Sequence, residues 1–218
     1  MWVRKLRESA APGTIFRVIV AIVLAAGDST RMGSPKALLH DPDGRPFVAR
    51  LVRTFASAGV SRIVIVTGRQ HDAIMAAVVA DNPPAYPTFL TNPDPARGQL
   101  SSLWIALDAI ARDDVESILV TPVDIPMIRS STIAQVIDEW RKTRGAIVRP
   151  AVGVRHGHPV LFDRGVFAEL RSAPLAEGAR AVVHAHTIDV VNVPVDDPGC
   201  LIDVDTPADY DQLMKGST

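Results

Sequence analysis

The sequence predicts an α/β fold: a single Rossmann-like domain whose mostly parallel sheet is covered by helices on both faces. Three runs of apolar, largely β-branched residues support this prediction, at 18–24, 62–67 and 117–121. Nearly continuous apolar strands are typical of parallel sheets that are buried on both sides. Segments with apolar residues at helical spacing separate these runs. Such alternation of strand and helix implies βαβ units with right-handed crossovers.

The other elements follow in chain order. Apolar residues at helical spacing predict helices at 47–58, 71–80, 100–111, 132–142, 164–172 and 179–186. Shorter apolar runs predict weaker strands at 88–91, 146–149, 159–162 and 188–193. The final helix has a clear start, because Thr206 can cap it, Pro207 suits its first position and Asp209 places an acid in its first turn.

The length of 218 residues allows one large domain. We expect residues 17–216 to form that domain and residues 1–16 to be a flexible extension. Basic residues before the first apolar run give it a superficial likeness to a secretory signal. The run is shorter than the roughly 20 apolar residues that span a bilayer, and it continues into a polar loop. We therefore interpret it as a strand.

Composition narrows the class of function. Lys and Arg total 23 against 24 for Asp and Glu, a formal net charge of −1, whereas nucleic-acid-binding domains usually have a pI above about 9. Cys200 is the only cysteine of the sequence, which excludes a disulfide framework and a cysteine-rich metal site. The composition predicts a soluble protein of a reducing compartment, the cytoplasm, with neither a nucleic acid nor a membrane as partner, and it does not indicate an activity.

The segment 24–36 is the strongest candidate for a phosphate-binding loop. It leaves the carboxyl end of the first strand, where open α/β sheets bind ligands. Its small residues let backbone N–H groups approach a polyphosphate, while Arg31 and Lys36 supply positive charge. The spacing differs from a Walker A loop, which needs lysine directly after the second glycine. The dinucleotide fingerprint G-x-G-x-x-G is also missing from this segment.

Residues 24–39, LAAGDSTRMGSPKALL, resemble the signature L-A-A-G-x-S-x-R-M-G-x-x-K-x-L-L of the molybdenum cofactor cytidylyltransferases and guanylyltransferases. These MobA-like NTP transferases belong to the glycosyltransferase-A-like nucleotidyltransferases. The resemblance extends to the C-terminal helix and implies the fold of the nucleotide-diphospho-sugar transferases. It implies that Arg31, Lys36 and Asp124 are catalytic. The nucleotide-binding residues that it implies on this loop are Leu24, Ala25, Ala26, Gly27, Arg31 and Lys36.

Two acidic elements carry the candidate metal site. Asp124 follows the strand 117–121 within a P-x-D-x-P pattern that the family shares, and Mg²⁺ commonly takes one or two carboxylates plus phosphate oxygens. Its alternative role is that of a turn residue. The segment 201–209 is similar to the family element D-x-D-T-P-x-D, which implies a second metal ligand at Asp205, with Asp203 as the alternative. Asp205 could instead simply place negative charge at a helix start. The expected ion is Mg²⁺ or Mn²⁺.

Two further elements resemble the family. The segment 98–103, GQLSSL, is similar to the G-x-x-S-S-L loop, which implies that Ser101 and Ser102 lie near the base or ribose. Either serine could instead cap the helix that begins here. The segment 157–162, GHPVLF, is typical of the cytidylyltransferase branch. It implies that His158 contacts the acceptor, although a structural imidazole bonded to the backbone fits equally.

The resemblance implies an Mg²⁺-dependent enzyme. It would move a nucleotidyl group from an NTP to a phosphate-bearing acceptor, most simply molybdopterin, and release pyrophosphate. Ala26 and the GHPVLF element favour CTP over GTP, because the guanylyltransferase branch usually shows L-A-G-G. One alternative is the same reaction on a sugar 1-phosphate or another small phosphate. A second is a non-catalytic factor that binds nucleotide or cofactor and delivers it to a molybdenum enzyme as client.

Overall fold

A computed structural model describes residues 18–111 and 114–216 of the chain. The predicted extension, 1–16, lies outside the described residues, and the proposed domain boundary therefore stays a prediction. The described strands form a sheet of eight strands. They are β1 (Val18–Ala25), β2 (Arg62–Thr67), β3 (Thr88–Thr91), β4 (Val115–Pro122), β5 (Ile147–Val152), β6 (Arg155–His156), β7 (Val160–Asp163) and β8 (Val190–Pro194).

The strand order along the sheet is β3-β2-β1-β4-β7-β5-β6, and β8 pairs with β5. The half around β1 is parallel, since β1 pairs in parallel with both β2 and β4, and β2 with β3. Strand β7 runs antiparallel to β4 and β5, while β8 is parallel to β5. The predicted α/β fold with a mostly parallel sheet is confirmed.

Helices cover both faces of the sheet. They are α1 (Phe47–Ser57), α2 (His71–Asp81), α3 (Gln99–Ala109), α4 (Ser130–Thr143), α5 (Phe167–Ser172), α6 (Arg180–Ala185) and α7 (Pro207–Lys215). Alternate residues of β1 face opposite sides: Ala21 and Val23 join a core with α1, α2 and α4, whereas Val20 and Ile22 join a second core with α3 and α5. No helix among the described residues is long and apolar enough to cross a membrane.

Local chemistry explains where helices begin and end. In α1, Phe47, Leu51 and Phe55 recur every fourth residue and are fully buried. Burying one such phenylalanine stabilises the fold by about 1.5–3 kcal/mol. At α7 the side chain of Thr206 accepts a hydrogen bond from the backbone of Asp209 while the Asp209 carboxylate accepts one from the backbone of Thr206. This capping box confirms the predicted start of the last helix.

The structure departs from the sequence prediction mainly at element ends in the second half. The predicted helix 164–172 begins as a 3-10 turn, Arg164–Val166, and becomes α-helical only at Phe167. The two-residue strand Arg155–His156, which pairs with β5, was not predicted. Such a short strand carries too few residues for a periodic signal, and its pairing depends on the hairpin that joins it to β5.

Cys200 lies in the core beneath the loop that precedes β7. Its side chain is fully buried, and a Cβ atom at Gly157 would lie 2.6 Å from its sulfur. Burial and the negative charge of Asp197 raise the pKa of this thiol to about 11. At neutral pH the group is therefore a protonated thiol that packs as a small apolar side chain.

We expect Cys200 to resist a thiol reagent in the native protein at mildly alkaline pH, because the thiolate forms only as the pH approaches about 11 and because the sulfur is buried. A chromogenic disulfide reagent should label one thiol per chain in concentrated guanidinium chloride. The same reagent should label almost none without denaturant. Equal labelling rates in the two conditions would contradict the buried position.

Candidate functional site

A cavity of about 320 Å³ opens at the carboxyl ends of β1 and β4. Loops that follow these two strands form its floor, the start of α3 forms one wall, and the segment before α7 closes it. The residues that line it are Leu24, Ala26, Gly27, Ser29, Thr30, Arg31, Lys36, Pro95, Gly98, Gln99, Ser102, Pro122, Val123, Asp124 and Asp205.

Backbone hydrogen bonds bring three distant stretches of chain to this cavity. In the parallel pairing of β1 with β4, Leu24 lies opposite Pro122. Pairing continues past the strand ends, because the Val123 N–H donates to the Leu24 carbonyl at 3.0 Å. The Val204 N–H then donates to the Asp124 carbonyl at 2.9 Å. The segment before α7 is thereby held against the loop that carries Asp124.

The loop after β1 is closed by its own serine. The backbone N–H groups of Met32 and Gly33 donate to the Ser29 carbonyl, and the Lys36 N–H donates to the Ser29 hydroxyl oxygen at 3.1 Å. This loop also needs a small neighbour, since a Cβ atom at Gly68 would lie 2.6 Å from the Ala26 carbonyl oxygen. Glycine at that position therefore allows the loop to pack directly on the end of β2.

Lys36 is the electrostatic centre of the cavity. Its Nζ atom donates to Asp124 Oδ2 at 2.8 Å and also bonds Asp205 Oδ1, and the lysine side chain is only 12% exposed. Arg31 reaches the same site from the outside, because its guanidinium bonds Asp205 Oδ2 at 2.8 Å while its side chain is 67% exposed. The buried lysine therefore bridges two carboxylates and the exposed arginine supports one of them.

The ionisation of these groups follows from their contacts. Burial alone would lower the pKa of Lys36, but the hydrogen bonds and charges of Asp124 and Asp205 outweigh it and raise that pKa. The hydrogen bond and charge of Lys36 lower the pKa of Asp205. Burial together with the charges of Asp124 and Asp205 raises the pKa of Asp203 to about 6. The cluster therefore contains three carboxylates against the two positive charges of Lys36 and Arg31, and its net charge is negative when all three are ionised.

The cluster has a donor set that suits a divalent cation. Carboxylate oxygens of Asp124, Asp203 and Asp205 lie within 4.8 Å of one another, and hard cations such as Mg²⁺ and Mn²⁺ prefer oxygen ligands. The Lys36 ammonium between two of these carboxylates shows that the position attracts positive charge. The structure brings both Asp203 and Asp205 to Asp124, so the two alternatives of the sequence analysis lie side by side.

The two predicted serines have different positions. Ser102 lines the cavity, whereas Ser101 does not. Neither caps the helix, because Gly98 is the N-cap of α3 and makes no side-chain cap hydrogen bond. The capping interpretation is therefore wrong. Gly98 adopts φ +94°, a backbone conformation that favours glycine. The helix that starts there buries both serine residues, which are 4% and 2% exposed.

Asn92, which the sequence analysis did not select, holds both serines. Its side-chain Nδ2 donates to Ser101 Oγ and to Ser102 Oγ, each at 2.9 Å. It follows β3 directly, and its own backbone N–H donates to the Thr67 carbonyl at 2.7 Å. The only signal in the sequence was a polar residue at the carboxyl end of a weakly predicted strand, without a motif that links it to the serines.

A second cavity of about 650 Å³ shares a wall with the first. His158 lies in its lining, with Nδ1 at 3.3 Å from the Val120 carbonyl oxygen. Burial lowers the pKa of His158, although the backbone bond and the charge of Asp124 act in the opposite direction. Both interpretations from the sequence are thus compatible with the structure, since the imidazole is bonded to the backbone and also faces a cavity.

The first cavity brings together most of the residues that the sequence analysis selected. Ala25 and Ser101 do not line it, and Ala25 instead faces a separate pocket behind the loop. His158 belongs to the second cavity alone. The selected residues that line the first cavity are Leu24, Ala26, Gly27, Arg31, Lys36, Ser102, Asp124 and Asp205.

All of these residues except Asp205 lie inside a match to a known protein family. The family described as the MobA-like NTP transferase domain matches residues 21–190. The chain belongs to this family. It is therefore a nucleotidyltransferase by family, the class of enzyme that the sequence predicts.

Curated relatives match only in part. The bifunctional protein GlmU of Rhizobium etli is 38% identical over 112 residues, which are 51% of this chain and 24% of that protein. The chain therefore spans about a quarter of the length of this relative.

Solved structures match over most of the chain. Rv0371c of Mycobacterium tuberculosis H37Rv has a TM-score of 0.76 and 29% identity, covering 92% of this chain and 99% of that one. A complex of Rv0371c with manganese has a TM-score of 0.71 and 26% identity, covering 91% and 98%. Molybdopterin-guanine dinucleotide biosynthesis protein A of Archaeoglobus fulgidus shares the fold, with a TM-score of 0.63 and 17% identity over 91% and 98%.

We expect Lys36→Met to bind Mn²⁺ more tightly than the unchanged protein when no nucleotide is present. The ammonium group competes with a metal ion for Asp124 and Asp205, so its removal should lower the dissociation constant several-fold. Paramagnetic resonance of free Mn²⁺ measures this constant directly.

Lys142→Met is the matched control, because Lys142 is exposed and bonds only Glu139 on α4. Its affinity for Mn²⁺ should equal that of the unchanged protein. Unchanged or weaker Mn²⁺ binding in Lys36→Met would contradict competition between the ammonium group and the metal.

Proposed function

We propose that this chain transfers a nucleotidyl group, CMP in preference to GMP, from an NTP to a phosphate-bearing acceptor and releases pyrophosphate. We propose molybdopterin as that acceptor. The observation that carries the proposal is the arrangement of the first cavity, where a glycine-containing loop, a bridging lysine and a carboxylate cluster meet. The first two features suit the binding of a polyphosphate, and the third would hold a divalent cation that neutralises charge during transfer.

Two adjoining cavities suit a reaction between two bound substrates. Their shared wall contains Leu24, Gly98, Gln99 and Pro122. A triphosphate in the first cavity would place its α-phosphate toward this wall, and an acceptor in the second would approach it from the other side. Holding both reactants in one geometry is a principal source of acceleration in such transfers.

The chemistry needs no covalent intermediate on the protein. An acceptor phosphate oxygen attacks the α-phosphorus and forms the new P–O bond, while the bond to the β-phosphate oxygen breaks and its electrons leave with pyrophosphate. Lys36 and Arg31 neutralise charge on the triphosphate and on the departing pyrophosphate. Asp124 and Asp205, with Asp203 beside them, would hold Mg²⁺ or Mn²⁺. Such an ion supplies further positive charge at the phosphates.

The preference for CTP rests on the resemblance at Ala26 and at the GHPVLF element, and the lining of the cavity is compatible with it. Ala26 is a small residue at the end of β1, and Ser102 presents a hydroxyl from α3. Aromatic side chains are missing from the described lining of this cavity. We therefore propose that small residues and a hydroxyl recognise the base, without an aromatic ring stacked on it.

The second cavity suits a large, partly apolar acceptor with a negative charge. Leu103, Val160 and Phe162 supply apolar walls, and Arg149 supplies a cation. Arg149 Nε donates to Asn192 Oδ1 at 2.9 Å, and no carboxylate of the described residues forms an ion pair with it. Burial lowers the pKa of Arg149. A half-buried cation without a counterion favours an anionic group of the acceptor.

A screen of four NTPs against molybdopterin and a panel of sugar 1-phosphates tests the proposal. With Mg²⁺ present, we expect pyrophosphate release to be fastest for CTP with molybdopterin. A preference for GTP would overturn the nucleotide assignment, and turnover of a sugar phosphate alone would overturn the acceptor. Nucleotide binding without pyrophosphate release for any acceptor would instead favour a non-catalytic factor that serves a molybdenum enzyme.

Lys36→Ala and Asp124→Ala should each abolish turnover, with a loss of at least about a hundredfold in kcat, as for other residues that neutralise charge in a transition state. Lys142→Ala should retain the activity of the unchanged protein. Circular dichroism should show that all three variants remain folded. Near-normal activity of either site variant would refute the assigned roles.

A further inference from the structure

Asn92 is buried beside the first cavity at 4% exposure, and three hydrogen bonds use its whole side chain. Its Nδ2 group donates one proton to Ser101 Oγ and the other to Ser102 Oγ. Its Oδ1 atom accepts a hydrogen bond from the Asp94 backbone N–H at 2.9 Å. A backbone N–H can only donate, so the oxygen of the amide must face Asp94 and the nitrogen must face the serines.

This orientation fixes what each serine hydroxyl can do. Both hydroxyl oxygens accept a proton from Asn92, so each must direct its own proton elsewhere. Ser101 donates to the Gly98 carbonyl at 2.7 Å. Ser102 finds no acceptor among residues 18–111 and 114–216, although it is only 2% exposed and lines the cavity. A buried donor without a partner is costly unless a ligand supplies the acceptor.

We infer that Asn92 is a positioning residue that orients Ser102 as a hydrogen-bond donor to an acceptor atom on the base of the bound nucleotide, the O2 carbonyl of a pyrimidine. The inference rests on the proposed nucleotide site and adds the direction of one hydrogen bond, from the Ser102 hydroxyl to the base. A hydroxyl normally serves as donor or acceptor by rotating its proton. Here Asn92 occupies one lone pair of the Ser102 oxygen, and the Ser102 proton has no acceptor among the described residues. An acceptor atom of the ligand therefore satisfies this hydroxyl better than an amino or ring N–H group does.

A substitution of nearly the same shape can reverse the direction of the hydrogen bonds between residue 92 and the two serines. In Asn92→Asp, one carboxylate oxygen replaces the amide nitrogen, and a serine hydroxyl that stays hydrogen-bonded to it must donate rather than accept. The Ser102 proton then turns away from the cavity, and only its oxygen lone pairs face the nucleotide. Ser102→Ala removes the donor without adding a charge. Ser172→Ala, a serine on α5 that bonds the backbone of its own helix, is the matched control.

Calorimetric binding of CTP, 2-thio-CTP and inorganic tripolyphosphate in the presence of Mg²⁺ tests the inference. In 2-thio-CTP sulfur, a weak acceptor, replaces O2. We expect the unchanged protein to bind 2-thio-CTP about tenfold more weakly than CTP, equivalent to about 1.4 kcal/mol. In Ser102→Ala and in Asn92→Asp this difference should disappear, whereas Ser172→Ala should retain it.

Tripolyphosphate separates the hydrogen bond from the added charge. It has no base, so a carboxylate at position 92 lowers its affinity only through repulsion. We expect the affinity ratio of CTP to tripolyphosphate to fall about tenfold in Asn92→Asp, beyond any loss that the two ligands share. If Asn92→Asp does not fold, the comparison of CTP with 2-thio-CTP in Ser102→Ala decides alone.

Each outcome has one meaning. Persistent discrimination between CTP and 2-thio-CTP in Ser102→Ala would overturn the inference, as would equal binding of both by the unchanged protein. In either case, the unchanged protein still binds CTP, and the proposed function is unaffected. An unchanged protein that binds neither CTP nor tripolyphosphate would overturn both the nucleotide site and the inference built on it.

Discussion

The parallel pairing of β1 with its two neighbours is the constraint on which the site depends. β1 is hydrogen-bonded on both sides and buried on both faces, so it can shift against neither neighbour without exposing its apolar residues. Its register places Leu24 level with Val66 and with Pro122. The loops that follow these strands therefore emerge at one edge. A site assembled from loops is therefore anchored to a strand that is paired on both sides and buried.

Ion pairs in the cavity hold together the loops that the strand register brings to one edge. With a formal net charge of −1, the protein as a whole has no positive electrostatic field that would attract phosphate. The cavity instead concentrates charge locally, with Lys36 between two carboxylates from separate stretches of chain. Because Lys36 is largely buried, these contacts are screened less than surface ion pairs. The same contacts that join the loop after β1 to β4 and to the segment before α7 also define where ions can bind.

The sequence predicted features that depend on local pattern and missed those that depend on contacts between distant residues. β2 and β3 were predicted at the observed bounds, because apolar runs ended at clear turn residues. The carboxylates Asp124 and Asp205 were selected by motif, and the structure brings them together. Asn92 could not be selected, since its importance depends on the position of α3 against the end of β3. Helix capping, the alternative role considered for Ser101 and Ser102, was wrong because Gly98 starts the helix earlier.

The bridging lysine also links the binding of one ligand to the binding of another. A cation that entered between Asp124 and Asp205 would displace an ammonium group whose side chain is only 12% exposed. The displaced charge would need a new counterion, and a polyphosphate bound on the same loop would provide one. By thermodynamic reciprocity, cation and polyanion then raise each other's affinity by the same factor. The protein without ligands thus holds its own lysine against the carboxylates, and this internal ion pair occupies the position that a cation would take.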